Sequence, residues 1–511
     1  MSDDSNSAAT GTSPAGTLQL VVSLANSGDV EGAVVAARTL RDRSLSREAW
    51  VVVATANANL QRFEAAQEAL GLALQYDPGS RPLRMQRALI LERAGRHAES
   101  LVEFELLARE AEDSPQLSVH LARALQYAGR AGEAASRVDA ALRRWPTDVP
   151  LLRQSAELAW VAGAGTDCVA RIEQAIAEHP EELQLRLVAA DMLRAAGDPA
   201  RGLPLLEEAA RRAPGVPVFE TSIGVLLGDL GRAREALPYL RSAVARAPES
   251  AQFRRNLLPV LLRAGEYREA SGLAGALLRE SPDDQQLLAY LAAALRLSGA
   301  PGYAQLQDYP RLVRSFRPAT PAGYADMRAF NAALARELGT LHGGRQRPLA
   351  QSIRGGSQTE RNLPGNDPAG YPAIAAFFAM LKAPIDEYVG ALDPRSEHPT
   401  DRRRRAGWRI SGSWSVQLQP GGFHTNHVHP QGWISSAYYI ELPESHGEKD
   451  PRAGWLKFGE LAPAIPDGIA EHHVEPAEGM LVLFPSFFWH GTVPFDHGER
   501  RLTAAFDVMP A

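Results

Sequence analysis

The sequence predicts a multidomain α + β chain, with an N-terminal array of paired helices followed by a C-terminal domain of short β-strands. Three observations carry that prediction. A glycine returns every 34 residues through the first three-fifths of the chain. After residue 408 the pattern changes to aromatic and β-branched runs separated by Gly/Pro turns. Histidine crowds into this second region, with nine of the 13 between His398 and His497.

The helical array is justified by counting. Gly95, Gly129, Gly163, Gly197, Gly231, Gly265 and Gly299 keep the interval, as do Pro146, Pro180, Pro214, Pro248 and Pro282. Five residues after each glycine stands Ser100, Ala134, Cys168, Gly202, Ala236, Ala270 or Ala304, mostly small; seven before it the column runs Ala88, Ala122, Ala156, Ala190 and Gly224, broken by Leu258. This describes a helix, a tight turn, a second helix and a proline that stops it, with small residues letting the two helices approach closely. One such unit cannot bury its own apolar face, so copies stack into a solenoid. The pattern resembles the tetratricopeptide repeat over residues 17–300, in about eight units, of which the first two are weaker: Gln61 replaces the turn glycine and Gly28 is one position out of phase. The phase makes the lone Cys168 a packing residue of the small column rather than a nucleophile. Such repeats present a groove to a protein or peptide, which is the expected partner.

Composition sets the remaining bounds. With 511 residues, 45% hydrophobic and 22% charged, the chain has the makings of several cores. A net charge of −6 gives no general pull toward nucleic acid or an anionic membrane, and neither is expected as a partner. The run Arg402 to Arg405 reads as a solvated linker. One cysteine excludes an intramolecular disulfide and suits a cytoplasmic location. Residues 1–16, acidic and rich in Ser, Thr and Gly, read as a disordered tail rather than a signal peptide, and no apolar stretch is long enough to span a bilayer.

Residues 301–407 read as a helical and loop connection carrying support helices: 300–345 as helical, "QSIRGGSQTERNLPGNDPAG" as a loop, and 371–392 as a strong helix. Residues 408–511 form the β core, with strands expected at "WRISGSWSVQL", "GWISSAYYIEL", "GWLKFGEL", "GMLVLFP" and "RLTAAFDVM"; a sandwich, jelly roll or small barrel accommodates them.

The chemistry concentrates in "GGFHTNHVHPQGW". Side chains two apart on an extended segment share a side, so His427 and His429 project together while His424 is expected to face away. A pair so spaced can chelate one ion at the ~2.0–2.1 Å of metal–imidazole bonds. His490, ending an apolar run, offers a third ligand, and the return strand that follows opens with Arg500 and Arg501. An arginine near the metal is suited to gripping a carboxylate through two parallel bonds. His472 and His473, beside Glu471 and Glu475, read as loop residues.

A histidine pair, a distal histidine and a downstream arginine on strands resemble the 2-oxoglutarate- and Fe(II)-dependent dioxygenases. "SWSVQLQPGGFHTNHVHPQGWISSAYYIELP", "GWLKFG" and "LFPSFFWHGTVPF…RLTAAFDV" resemble more closely a bacterial branch whose members carry an HxHP–(x)–SxxYY block and often follow tetratricopeptide repeats. "IRGGSQT" at 353–359 also fits; the resemblance covers about 350–511 and is most specific at 412–508. It implies a double-stranded β-helix (jelly roll) holding Fe(II) and the cosubstrate 2-oxoglutarate, and hydroxylation of a C–H bond coupled to oxidative decarboxylation. By position it implies His427 and His490 as metal ligands, Arg501 on the distal carboxylate of the cosubstrate and Tyr439 lining that pocket, with Gly432, Trp433 and Ser435 where the loop re-enters the sheet. One departure stands out: the usual triad has a carboxylate two residues after the first histidine, and here that slot holds His429. The third ligand is therefore His429 or a carboxylate from elsewhere, with Asp507 and Glu441 as substitutes that lack the spacing and Asn426 a poor stand-in. Three readings follow: a dioxygenase whose repeats recruit a protein substrate or partner, a non-enzymatic repeat scaffold with an inactive or metal-stabilised β domain, and a cupin-like three-histidine metalloenzyme without 2-oxoglutarate. Arg501 separates the first from the third, because a keto acid needs a carboxylate anchor.

Overall fold

The repeat glycines sit where the chain must turn left-handed: φ lies between +63° and +93° at Gly95, Gly129, Gly163, Gly197, Gly231, Gly265 and Gly299. A side chain is strained there, which explains the 34-residue beat. The computed structural model describes residues 13–511 apart from 61, 111–113, 343–351, 360–361, 366, 444–449, 462–464, 466–467 and 497–499. Gln61 and His497 thus lie outside the described residues. Contacts divide the chain into two units, Met1–Gln154 and Ser155–Ala511.

In the first unit the helices pair as Pro14–Ser27 with Val30–Thr39, Arg43–Asn59 with Phe63–Tyr76, Arg81–Arg93 with His97–Glu110, and Pro115–Tyr127 with Ala131–Arg144. The first helix begins at Pro14, capped by Ser13, inside the stretch expected to be tail: a serine cap and a proline at the first turn are a helix start. The two small-residue columns meet one another, as Ser100 Oγ donates to the Ala88 carbonyl at 3.0 Å. In the second unit the pairs are Leu183–Ala196 with Pro199–Arg212, Pro217–Asp229 with Ala233–Arg246, and Ala251–Ala264 with Tyr267–Glu280, followed by a last repeat helix, Gln285–Leu297. The same columns touch there: a Cβ on Gly202 would stand 3.1 Å from Ala190 Cα. Helices end at Arg144, Glu178, Arg212, Arg246 and Glu280, each two residues before a repeat proline. Cys168 is buried in a short 3-10 turn, Gly165–Val169, and burial pushes its thiol up, as a packing residue requires.

The rest of the second unit combines antiparallel β structure with a few helices. Its strands are β1 (Arg314–Phe316), β2 (Ile353–Gln358), β3 (Trp408–His424), β4 (Ile434–Glu441), β5 (Leu456–Phe458), β6 (His472–Val474), β7 (Leu481–Pro485), β8 (His490–Thr492) and β9 (Arg501–Pro510). They form a six-stranded sheet, β1-β7-β4-β9-β3-β2, and a three-stranded sheet, β6-β5-β8. Rings from both sheets meet in the interior, with Phe458 edge-on to Phe484 at 4.9 Å between centroids. Helices Met327–Leu341 and Pro372–Gly390 support the larger sheet: Tyr438 donates to Asn331 Oδ1 at 2.7 Å, Phe377 packs on Tyr438, and Glu337 accepts from the Ala373 and Ile374 amides that open the second helix.

Four expectations are corrected. The glycine-rich segment expected as a loop contributes strand β2: a Cβ on Gly356 would stand 2.3 Å from the Gln417 carbonyl, so this glycine serves close approach between strands. The segment expected to be helical over 300–345 contains β1, which pairs with β7 at the sheet edge. His472 and His473 lie on β6, not in a loop. The arginine run is no solvated linker, since Arg403 is buried and donates to the Gly432 carbonyl at 3.2 Å while Arg402 reaches Asp283 at 3.1 Å. Among the described residues no helix is long and apolar enough to cross a membrane.

Candidate metal centre

His427 and His490 face each other as an antiparallel bridge, exchanging backbone hydrogen bonds of 2.9 and 3.0 Å. That register brings their rings to 4.3 Å between centroids. His429, whose amide is held by the Ser486 carbonyl, completes a triangle with centroids 5.1 and 5.0 Å from the other two. One ligand atom from each histidine lies within 4.8 Å of the others.

Hydrogen bonds decide which nitrogens face inward. The Nδ1 of His427 is 2.8 Å from the Thr425 carbonyl, and that of His490 is 2.9 Å from the Phe488 carbonyl. A carbonyl only accepts, so both Nδ1 atoms carry the proton and both Nε2 atoms are bare lone pairs. His429 Nδ1 donates to Asp507 Oδ1 at 2.7 Å, with the same result. The bare Nε2 atoms of His427 and His429 then stand 3.2 Å apart. Two lone pairs so close repel unless a proton or a cation lies between them. Burial and the neighbouring imidazole push His427 down to about 3, and burial holds His490 well below the ordinary value. A cation is the partner such neutral imidazoles accept.

The carboxylates named as substitutes are engaged elsewhere. Asp507 stands behind His429, where it also accepts from Ser435 Oγ at 2.7 Å. Ser435 in turn touches Ser486 Oγ at 2.8 Å, and a Cβ on Gly432 would stand 2.2 Å from that hydroxyl. This is the outer support that fixes an imidazole's tautomer at metal sites. Glu441 pairs with Arg500 at 2.8 Å on the partly exposed side. Asn426 turns its amide to the Leu461 carbonyl at 3.1 Å. His424, expected to face away, instead stacks on His427 at 5.7 Å, because the bridge turns the chain between them.

Arg501 opens β9 and Arg500 stands just before it, and the two neighbours point to opposite sides, Arg501 inward and Arg500 toward Glu441. Arg501 is 3% exposed and donates to Thr492 Oγ1, two residues beyond His490, at 3.1 Å. Its guanidinium lies 5.3 Å from the Tyr439 ring centre. Among the described residues no carboxylate pairs with it; its Nε lacks a hydrogen-bond partner, and the Tyr439 hydroxyl is its polar neighbour. Burial raises Tyr439, so its hydroxyl stays a donor. A buried guanidinium without an anion is expensive, and this one has only the Tyr439 hydroxyl as a polar neighbour on that side.

Asp507 in its supporting role, Thr492, and the Thr425 and Phe488 carbonyls were not foreseen. Their partners are set by strand register, for which the sequence carries no local signal.

Three imidazoles that could hold one metal ion thus converge near a buried arginine on antiparallel strands, and two family models match parts of the chain. Residues 412–507 match the family described as "Putative 2OG-Fe(II) oxygenase", and residues 222–284 match the tetratricopeptide repeat. Each match covers only part of the chain, one a segment similar to tetratricopeptide repeats and the other a segment similar to that oxygenase family. No curated protein matches it significantly. Similar solved structures include a tetratricopeptide repeat protein from Parabacteroides merdae (16% identity, 49% of this chain and 100% of that one, TM-score 0.33). Yeast Tom70 is another (18%, 60% and 67%, TM-score 0.40), as is a Pseudomonas putida prolyl-4-hydroxylase (20%, 40% and 97%, TM-score 0.26).

Proposed function

We propose that this chain is a 2-oxoglutarate- and Fe(II)-dependent dioxygenase that hydroxylates a C–H bond, and that the repeats over 17–300 recruit its protein substrate or partner. His427, His429 and His490 would hold the metal through Nε2, with Asp507 orienting His429. Arg501 would grip the distal carboxylate of 2-oxoglutarate with Tyr439 donating beside it. The observation that carries this reading is the set of three Nδ1–H groups, each tied to an acceptor, that turns three bare nitrogens toward one point.

Bound Fe(II) and 2-oxoglutarate would supply O2 activation coupled to oxidative decarboxylation. The chain's own residues do the rest. The Thr425 and Phe488 carbonyls and the Asp507 carboxylate keep the imidazoles in one tautomer. Thr492 steadies the guanidinium. Phe484, edge-on to His490 at 4.7 Å, and Phe458 at 6.3 Å make the wall behind the histidines apolar and exclude water.

Anaerobic titration with Fe(II) and 2-oxoglutarate tests the reading. One equivalent of each should raise a charge-transfer band in the visible, and air should then yield succinate. Metal uptake with neither band nor succinate would indicate a three-histidine enzyme that does without the keto acid. Absence of metal uptake would leave a repeat scaffold.

A further inference from the structure

The 34-residue beat stops at Gly299, so the last repeat helix, Gln285–Leu297, has no following repeat to cover it. In a solenoid that face needs a cap. Here the corner of the small sheet that carries His490 covers it. Trp489, the residue before His490, is held at both ends: its indole N–H donates to the Ala289 carbonyl at 3.3 Å, and its own carbonyl accepts from the Gly459 amide at 2.9 Å. Its ring packs on Tyr290 at 6.2 Å. Gly459 directly follows β5, the strand that pairs Phe458 with His490. Arg296, one helical face further along, is 13% exposed at its side chain and uses every edge of its guanidinium on this corner. Nη1 donates to the Gly459 carbonyl at 2.5 Å, Nη2 to the Ile469 carbonyl at 2.8 Å, and Nε faces Glu471 at 3.2 Å. Glu471 also accepts from Tyr303 and, at 3.5 Å, from Tyr309.

We propose that Arg296 is a positioning residue for the metal centre: by gripping Gly459 it sets β5, which sets the Trp489 carbonyl and thereby the His490 imidazole. The last repeat helix is then a wall of the oxygenase rather than the end of a detachable arm, and strain in the final repeats reaches a metal ligand through two hydrogen bonds. The inference rests on the metal reading above.

Full-length Arg296→Ala, Arg296→Lys and Trp489→Phe, titrated anaerobically with Co(II) as the probe, provide the test. Loss of an outer support at a metal site weakens affinity about 10–100-fold, and Arg296→Ala should fall near the lower end with an altered visible Co(II) spectrum. Arg296→Lys should recover part of the affinity, since an ammonium can hold one carbonyl but not the fork. A purely architectural arginine would lower the melting temperature and leave the folded variant's affinity and spectrum as in the parent, and that result overturns the proposal. Should Arg296→Ala not fold, Trp489→Phe, which keeps an aromatic ring but loses the indole N–H bonded to Ala289 and part of the ring volume, decides by the same two readouts. A parent chain that takes up no Co(II) fails differently, because it withdraws the metal centre itself and this inference with it.

Discussion

In the repeat helices a representative contact, Ser100 on Ala88, joins residues 12 apart, whereas in the β region His429 meets Asp507 across 78 positions and Ser352 meets His424 across 72. Both regions are built from close contacts, but the range differs, and range decides how damage spreads. A repeat touches only its neighbours, so a defect there should cost stability locally and leave chemistry elsewhere alone. The proposed metal centre is assembled from the turn after β3 and from β8 and β9, so one altered side chain should change binding while moving stability little.

The largest expected effect tests the second half of that contrast. His490→Ala should abolish stoichiometric Fe(II) or Co(II) binding, a loss beyond the 10–100-fold typical of outer supports, while the helical circular dichroism signal persists. Retained binding would show that the third nitrogen comes from elsewhere. Arg501→Ala follows: truncating one partner of a buried charge pair costs roughly 2–5 kcal/mol, so half-saturation by 2-oxoglutarate should rise at least thirtyfold with metal affinity nearly unchanged. Arg501→Lys should rescue part of this, and Arg500→Ala, on the partly exposed side with Glu441, should change it little. If Arg500→Ala gives the larger effect in the same titration, the carboxylate anchor has been misplaced. Asp507→Asn should weaken metal binding about 10–100-fold, measurable by competition with a chelator.

The first half of the contrast is tested in the helices. Gly202→Leu would drive a side chain into Ala190, where even a Cβ comes to 3.1 Å, and should destabilise by about 1–3 kcal/mol in a denaturant melt with Co(II) affinity as in the parent. Lost affinity there would show that the solenoid couples to the metal more widely than through its last helix. The smallest effect concerns His342, which lies between the Ser357 and Ser415 hydroxyls at 2.9 and 3.1 Å and joins a support helix to β2 and β3. Burial pushes it down to about 4. The native state therefore holds it neutral while the unfolded chain takes up a proton near pH 6.5. Its contribution is full above pH 6.5 and falls as pH drops toward 4, by on the order of 1–3 kcal/mol. Chemical denaturation at several pH values should show a flatter acid limb in His342→Gln than in the parent; an unchanged slope would place the acid sensitivity elsewhere.

Much of the molecule was legible from residue order. The turn glycines, the small columns and the stopping prolines announce helices because a 34-residue unit satisfies its own backbone and needs only a neighbour like itself. His427 and His429 were legible as a pair because alternation along an extended segment is local, and His490 because it closes an apolar run. What could not be read there depended on register. Strand β2 hid behind its glycines and β1 inside a helical composition, since cross-strand pairing overrides propensity in short segments. The arginine run looked solvated because its acceptors are the carbonyls of Pro282, Leu392 and Gly432 and the Asp283 carboxylate, which sequence does not place beside it.

The sequence by itself determined a repeat solenoid and a β region rich in histidine, and it singled out His427, His429, His490 and Arg501 as candidates while leaving the third ligand open. Tertiary structure alone decided that Asp507 stands behind His429 rather than among the converging imidazole nitrogens, that Arg501 turns inward and Arg500 outward, and that the last repeat helix packs on the His490 corner. The physical reason is that imidazole, carboxylate and guanidinium act through hydrogen bonds of about 3 Å, and the partners at that range are chosen by sheet pairing and packing across many tens of residues.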